Sequence, residues 1–204
     1  MGVDAGDPGV LSVADLAALT TLFEEHRPRL RAMLRGRLAP ALSGRLDADD
    51  LLQEVFLRAR RSWPRFASSR MSAYAWLYRI ARDCLVDTWR RETREGRDPH
   101  REMPWPEQSS VQLGLSLVGT GTTPSEALGR GELRQRIRRA LERMTADDRE
   151  ILWMRDVDGV PFRDAAALLE ISENTAMKRY SRASRRFREL WRMLESSTGR
   201  GAGP

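Results

Sequence analysis

A chain of 204 residues with 35 Lys+Arg against 29 Asp+Glu, formal net charge +6, has room for one large or two small domains. Its one cysteine, Cys84, excludes an internal disulfide framework, and its two histidines, His26 and His100, lie far apart without metal-ligand spacing. No apolar run approaches a membrane span, and no basic-then-apolar leader opens the chain, so a cytoplasmic soluble protein is expected.

Residues 1–14, rich in Gly, Asp and Val, read as a disordered leader. From Asp15 a helical pattern places Leu19, Leu22, Phe23, His26, Leu30, Met33, Leu34 and Leu38 near a 3.6-residue spacing. Arg27, Arg29, Arg31, Arg35 and Arg37 fall on the opposite face. Pro28 predicts a kink or a restart within it. His26 reads as a packed histidine rather than a ligand.

After a loop at Pro40 to Arg45, Asp47 is positioned to cap a second helix, whose buried stripe is Leu51, Leu52, Val55, Phe56 and Ala59. The other face mixes Asp50, Gln53, Glu54, Leu57, Arg58 and Arg61. Leu57 beside Gln53 and Glu54 offers a partner both an apolar anchor and polar specificity. An acidic first turn is also ordinary helix-dipole chemistry. Pro64 is expected to end this helix.

Phe66 to Met71 reads as a loop and Ser72 as the cap of a third helix, with Leu77, Ile80, Ala81, Cys84 and Leu85 inward. Its remaining positions carry Tyr74, Trp76, Tyr78, Arg79, Arg82, Asp83, Asp87, Arg90 and Arg91. Aromatics interleaved with arginines suit single-stranded nucleic acid, with bases on the rings and guanidinium groups along the phosphates. The same aromatics equally suit a protein core.

Residues 97–123, with Pro99, Pro104 and Pro106 and then Gly114, Gly119 and Gly121, read as a flexible linker. Within it Val111, Leu113, Leu115 and Leu117 alternate, the pattern of an extended segment. Thr123, Pro124 and Glu126 predict a helix running to about Met144, with Leu133, Ile137, Leu141 and Met144 inward.

Thr145 with Asp148 opens the next helix, and Asp158-Gly159 breaks it. Pro161 starts a short helix carrying Phe162, Ala165, Ala166, Leu168 and Leu169. Ser172 then caps a last helix with the stripe Ala176, Tyr180, Ala183, Phe187, Leu190 and Leu194. Lys178, Arg179, Arg182, Arg185, Arg186, Arg188 and Arg192 lie between the stripe residues. A short helix, a tight turn and a basic second helix form the pattern of a helix-turn-helix, in which the second helix enters the major groove.

The expected architecture is therefore all-α. Two small helical domains, 15–96 and 124–195, are joined by the linker, and 196–204 form a disordered tail. No convergent set of acids, bases or metal ligands occurs, and no glycine-rich phosphate loop, so neither an enzyme nor a cofactor or metal is expected.

In this order the blocks resemble a bacterial alternative sigma factor of the extracytoplasmic-function (ECF) group of the sigma-70 family. DADDLLQEVFLRA, from Asp47 to Ala59, resembles that family's helix for gripping core RNA polymerase. Phe66 followed by WLYRIARD, with Asp87, Arg90 and Arg91 downstream, resembles its minus-10 melting helix. Leu141 to Leu190 is similar to its minus-35-reading domain. The resemblance implies core-polymerase contacts at Asp50, Gln53, Glu54 and Leu57. It implies minus-10 contacts to melted strand at Phe66, Tyr74, Trp76, Tyr78, Arg79, Arg82, Asp83, Arg90 and Arg91, and duplex minus-35 contacts at Glu173, Asn174, Thr175, Lys178, Arg179 and Arg182. Core polymerase, promoter DNA and an anti-sigma protein would be the partners.

Two places depart from the family pattern. Asp83 stands where Asn is usual, and an ionised Asp accepts hydrogen bonds but donates none. Met177 and Lys178 stand where a basic and then a small residue are more common. A helix-turn-helix regulator that never touches polymerase is the alternative, and it leaves the Asp50–Leu57 surface unexplained.

Overall fold

The computed structural model describes residues 11–38, 47–68, 71–92, 107–118 and 130–198. They form eight α-helices and, among the described residues, no strand. The helices are α1 (Val13–Arg37), α2 (Ala48–Ala67), α3 (Ala73–Glu92), α4 (Glu107–Val118), α5 (Arg130–Glu142), α6 (Ala146–Asp156), α7 (Phe162–Leu168) and α8 (Glu173–Thr198). The chain divides into two compact units, residues 1–103 and 104–204.

In the first unit α1, α2 and α3 pack pairwise against one another. Asp47 caps α2 in a reciprocal box. Its Oδ1 accepts from the backbone N–H groups of Asp49 and Asp50 at 2.7 and 2.8 Å, while Asp50 Oδ2 accepts from Asp47 N at 3.1 Å. Ser72 Oγ caps α3 by accepting from Ala75 N at 3.2 Å.

Neither a restart at Pro28 nor a helix end at Pro64 occurs. Pro28 lies inside the continuous α1 and Pro64 inside α2, which runs on to Ala67. A helical proline removes one hydrogen bond. Here burial outweighs that loss, because Leu19 and Phe23 before Pro28 and Leu30, Met33 and Leu34 after it are all buried. Trp63, buried beside Pro64, donates from Nε1 to Asp15 Oδ1 at 3.0 Å and so ties the end of α2 to the start of α1. The leader also ends earlier than expected, since Ser12 caps α1.

The second unit gathers α4 to α8. The segment whose alternation suggests an extended strand is helical, because Leu113 and Leu117, four residues apart, are buried while Leu115 is 45% exposed. A spacing of two contains a spacing of four, and tertiary packing selected the latter. Gly114 allows the close approach to α5: a Cβ there would lie 2.5 Å from Cγ2 of the fully buried Ile137. Thus α4 lies inside residues 97–123 and packs on the second unit. The expected helix start at Thr123, Pro124 and Glu126 lies outside the described residues, as do residues 1–10 and 199–204. At the C-terminus α8 continues three residues beyond Glu195.

Local chemistry shapes the turns of this unit. Thr145 Oγ1 caps α6 by accepting from Asp148 N at 3.2 Å. Gly159 takes φ +65°, which lets Val160 N reach Met154 O at 2.7 Å. Pro161 stands one residue before α7, as its N-cap. Between α7 and α8, Glu170 adopts φ +54°, a left-handed conformation uncommon for a residue with a side chain. Ile171 N then bonds Ala166 O at 3.0 Å, and Ser172 Oγ accepts from Thr175 N at 3.1 Å.

Candidate functional site

On α2, Asp50 and Gln53 are exposed and Leu57 is 41% exposed. A mixed apolar and polar patch therefore exists. Two of its acids already serve the fold. Asp50 completes the capping box, and Glu54 Oε1 accepts from Arg58 Nε at 2.7 Å. The same guanidinium reaches α3, where Asp87 Oδ2 accepts from Nη1 at 2.7 Å. The two carboxylates raise the Arg58 pKa still further and hold it charged. Sequence reasoning placed Arg58 on this face without assigning it the bridge, because Asp87 lies 29 residues away.

On α3 the structure separates the arginines from the aromatics. Tyr74, Trp76 and Tyr78, the aromatics that the resemblance assigns to the melted strand, are buried against other side chains of the first unit. The reason is geometric: five consecutive residues, Tyr74 through Tyr78, are buried, and five residues exceed one full helical turn. Trp76 stacks on Phe66 with ring centroids 4.1 Å apart and planes at 12°, and it tilts against Trp63 at 6.1 Å. Tyr74 lies 5.8 Å from the His26 ring and under the Arg29 guanidinium at 3.8 Å. Tyr78 accepts a hydrogen bond from Arg37, which sequence reasoning had put on the outer face of α1 and which is buried.

What remains outward on α3 is charged. Arg79, Asp83, Arg90 and Arg91 are exposed, and Arg82 and Asp87 are half-buried; Phe66 on α2 is also half-buried. Spacings of three, four, seven and eight place these charges on one face. Arg91 Nη2 donates to Thr88 Oγ1 at 3.1 Å. Cys84 is fully buried beneath this face, and burial pushes its thiol up to about 12, which leaves it unreactive as a nucleophile.

The helix-turn-helix comprises α7 and α8. At the N-terminal end of α8, Glu173, Asn174, Thr175, Met177, Lys178, Ser181 and Arg182 are exposed, while Ala176 and Ala183 face the core. Thr175 Oγ1 lies 2.8 Å from Ser172 Oγ, so its hydroxyl belongs to the cap. Arg179 is half-buried, with Nη1 3.3 Å from Asp147 Oδ2 on α6. Behind it, Tyr180 donates its hydroxyl to Asp156 Oδ1 at 2.8 Å and meets Phe162 edge-on at 5.5 Å. Burial raises the pKa values of both Asp156 and Tyr180. This packing fixes the rotation of α8 and presents its other side to solvent. Among the described residues no group of three or more His, Cys, Asp and Glu could hold a metal ion, and no helix is long and apolar enough to cross a membrane.

Comparison with known proteins gives both units a family. Residues 22–95 match the model for Sigma-70 region 2, and residues 134–187 match that for Sigma-70, region 4. The RNA polymerase sigma factor CarQ of Myxococcus xanthus is 30% identical over 185 residues, 90% of this chain and 94% of that protein. The ECF RNA polymerase sigma-E factor of Escherichia coli (strain K12) is 29% identical over 141 residues, 67% of this chain and 70% of its own length. The co-crystal structure of the sigma factor RpoE with the anti-sigma factor NepR from Bartonella quintana aligns with a TM-score of 0.43 and 22% identity. That alignment covers 86% of this chain and 95% of that one.

Proposed function

The chain belongs to the extracytoplasmic-function group of the sigma-70 family, and on that premise we propose which of its surfaces carries each step of initiation. Proteins of this family bind core RNA polymerase and direct it to specific promoters, contributing recognition and strand opening rather than covalent chemistry. The protein acts in the cytoplasm, where polymerase and promoter DNA lie.

The exposed face of α2 grips the polymerase. Leu57 is the apolar anchor, Gln53 the free polar partner, and Asp50 and Glu54 the acidic border. The outer face of α3, with Arg79, Arg82, Asp83, Arg90 and Arg91, tracks the melted minus-10 strand, and half-buried Phe66, stacked on Trp76, joins it there. The N-terminal turns of α8 enter the duplex minus-35 element. There Lys178, Arg179 and Arg182 meet phosphates or guanines, and Glu173, Asn174 and Thr175 stand at base edges. An anti-sigma protein that masks the polymerase and DNA faces is the inhibitory partner common in this family.

The observation that carries this division is the exposure pattern of α8: one side is sealed by Ala176, Ala183 and Phe187, and the other offers cations to solvent. The test is reconstitution of purified protein with sigma-free bacterial core polymerase on fragments of the source genome, with start sites mapped. Discrete starts sharing an upstream and a downstream element are expected. Specific duplex binding without any start would refute the polymerase-dependent reading. Joint replacement of Gln53, Glu54 and Leu57 by alanine should abolish co-purification with core enzyme.

A further inference from the structure

Met177 is the one exposed large apolar residue on the N-terminal half of α8. It is 49% exposed on a helix whose other outward positions there are Glu173, Asn174, Thr175, Lys178, Ser181 and Arg182. A single apolar residue on a protein surface needs no explanation by itself. The position of Met177 is what sets it apart. It lies one turn after Glu173 and Asn174 and one turn before Ser181, within the segment of a helix-turn-helix that faces base edges.

The neighbouring chemistry narrows what Met177 can meet. Lys178 and Arg182 supply phosphate contacts, and a thioether makes none. Glu173 and Asn174 offer an acceptor and an amide to base edges, suited to cytosine and adenine. The feature of the major groove that matches an unbranched, polarizable apolar side chain is the C5-methyl group of thymine. Met177 has the reach and torsional freedom to follow a methyl group at one base step. Leaving it in water serves no packing, since Ala176, Ala183 and Phe187 already close the core side of α8.

We propose that Met177 is a specificity-determining residue that reads the C5-methyl group of one thymine in the upstream promoter element. The proposal rests on the sigma-factor reading above and goes beyond it by naming the atom recognised.

Holoenzyme assembled from the full chain and sigma-free core polymerase would be used to select duplexes from a pool randomised across the upstream element. Each thymine of the selected element is then replaced singly by deoxyuridine, which differs only in lacking the methyl group. Binding is measured for wild type, Met177→Ala and Met177→Leu. One replacement should weaken wild-type holoenzyme by about fourfold, the order expected for one buried methyl. That penalty should vanish in Met177→Ala and persist in Met177→Leu, which keeps an apolar contact. Indifference of the wild type to every deoxyuridine, or an unchanged penalty in Met177→Ala, would overturn the proposal while leaving the sigma reading intact. Failure to select any element would overturn both.

Discussion

The guanidinium of Arg58 in α2 lies 2.7 Å from the carboxylate of Asp87 in α3, so one side chain joins the proposed polymerase-gripping helix to the proposed strand-reading helix. Its second hydrogen bond, to Glu54 on its own helix, leaves it half-buried between two acids. Both carboxylates are more than a third exposed, so solvent screens the pair and its worth is that of a surface network. Arg58→Ala should lower stability by about 1 kcal/mol. Arg58→Lys should recover only part, because an ammonium cannot fork between two carboxylates. Urea denaturation at low and high salt checks both; an Arg58→Ala effect that does not shrink with salt would refute the electrostatic account.

Trp76 separates a packing role from a stacking one. It is 3% exposed against Phe66 and Trp63, so Trp76→Ala should destabilise the first unit by about 3–5 kcal/mol. Arg79, exposed on the same helix, should behave oppositely. Arg79→Ala should leave stability within about 0.5 kcal/mol of wild type and slow promoter opening. Thermal melts alongside permanganate footprinting of the melted strand distinguish the two. A Trp76→Ala protein of unchanged stability with impaired opening would return Trp76 to the DNA surface.

The sequence revealed most where structure follows from local chemistry. Asp47, Ser72, Thr145 and Ser172 cap their helices through side-chain oxygens within three residues of their partners, and each was readable from spacing alone. Pro64 misled because the hydrogen bond a proline removes is local, whereas the burial that outweighs it comes from other helices. The burial of Tyr74, Trp76 and Tyr78 together was not legible, because periodicity identifies one inward face and cannot show that a helix start is enclosed all round. Arg37 depends on Tyr78, 41 residues later, and Arg179 on Asp147 in a preceding helix; no local pattern encodes either pairing. The polymerase and promoter roles came from the resemblance of ordered blocks, since a basic amphipathic helix alone is compatible with a plain bundle.

Asp156 predicts an unusual pH response for the second unit. Burial raises its folded-state pKa although Tyr180 donates to it, so the folded protein holds the proton more tightly than the unfolded chain. Its contribution to stability is fully present below the unfolded carboxylate value of about 4 and is lost as pH rises through the raised folded value. Asp15 and Asp49 act with the opposite sign. Hydrogen bonds from Ser12 and Arg31, respectively, lower their pKa values, so their contributions disappear on acidification. Asp156→Asn keeps an acceptor for the Tyr180 hydroxyl and removes only the titration. The stability of this variant relative to wild type should rise as pH climbs from about 4 through the raised folded value of Asp156, since Asp15 and Asp49 cancel in the difference. Parallel profiles in urea melts across that interval would show that Asp156 is solvated rather than buried.

Adjacent cations on α8 should contribute unequally to DNA binding. Lys178 is exposed, whereas Arg179 is half-buried with Nη1 3.3 Å from Asp147, a carboxylate that is itself 72% exposed. A cation that neutralises one phosphate adds about 0.9 to the slope of log affinity against log salt, through the counterion released. Lys178→Ala should lose roughly that increment on the upstream promoter duplex. Arg179→Ala should lose less, because Asp147 already acts as its counterion and the arginine must leave it to reach the DNA. Asp147→Ala should then strengthen binding and steepen the slope, and that steepening should disappear in the Asp147→Ala/Arg179→Ala double variant. Titrations of the full chain at several potassium chloride concentrations measure all four slopes. Equal losses for Lys178→Ala and Arg179→Ala, with no effect of Asp147→Ala, would mean that the contact between Arg179 and Asp147 does not restrain the recognition helix.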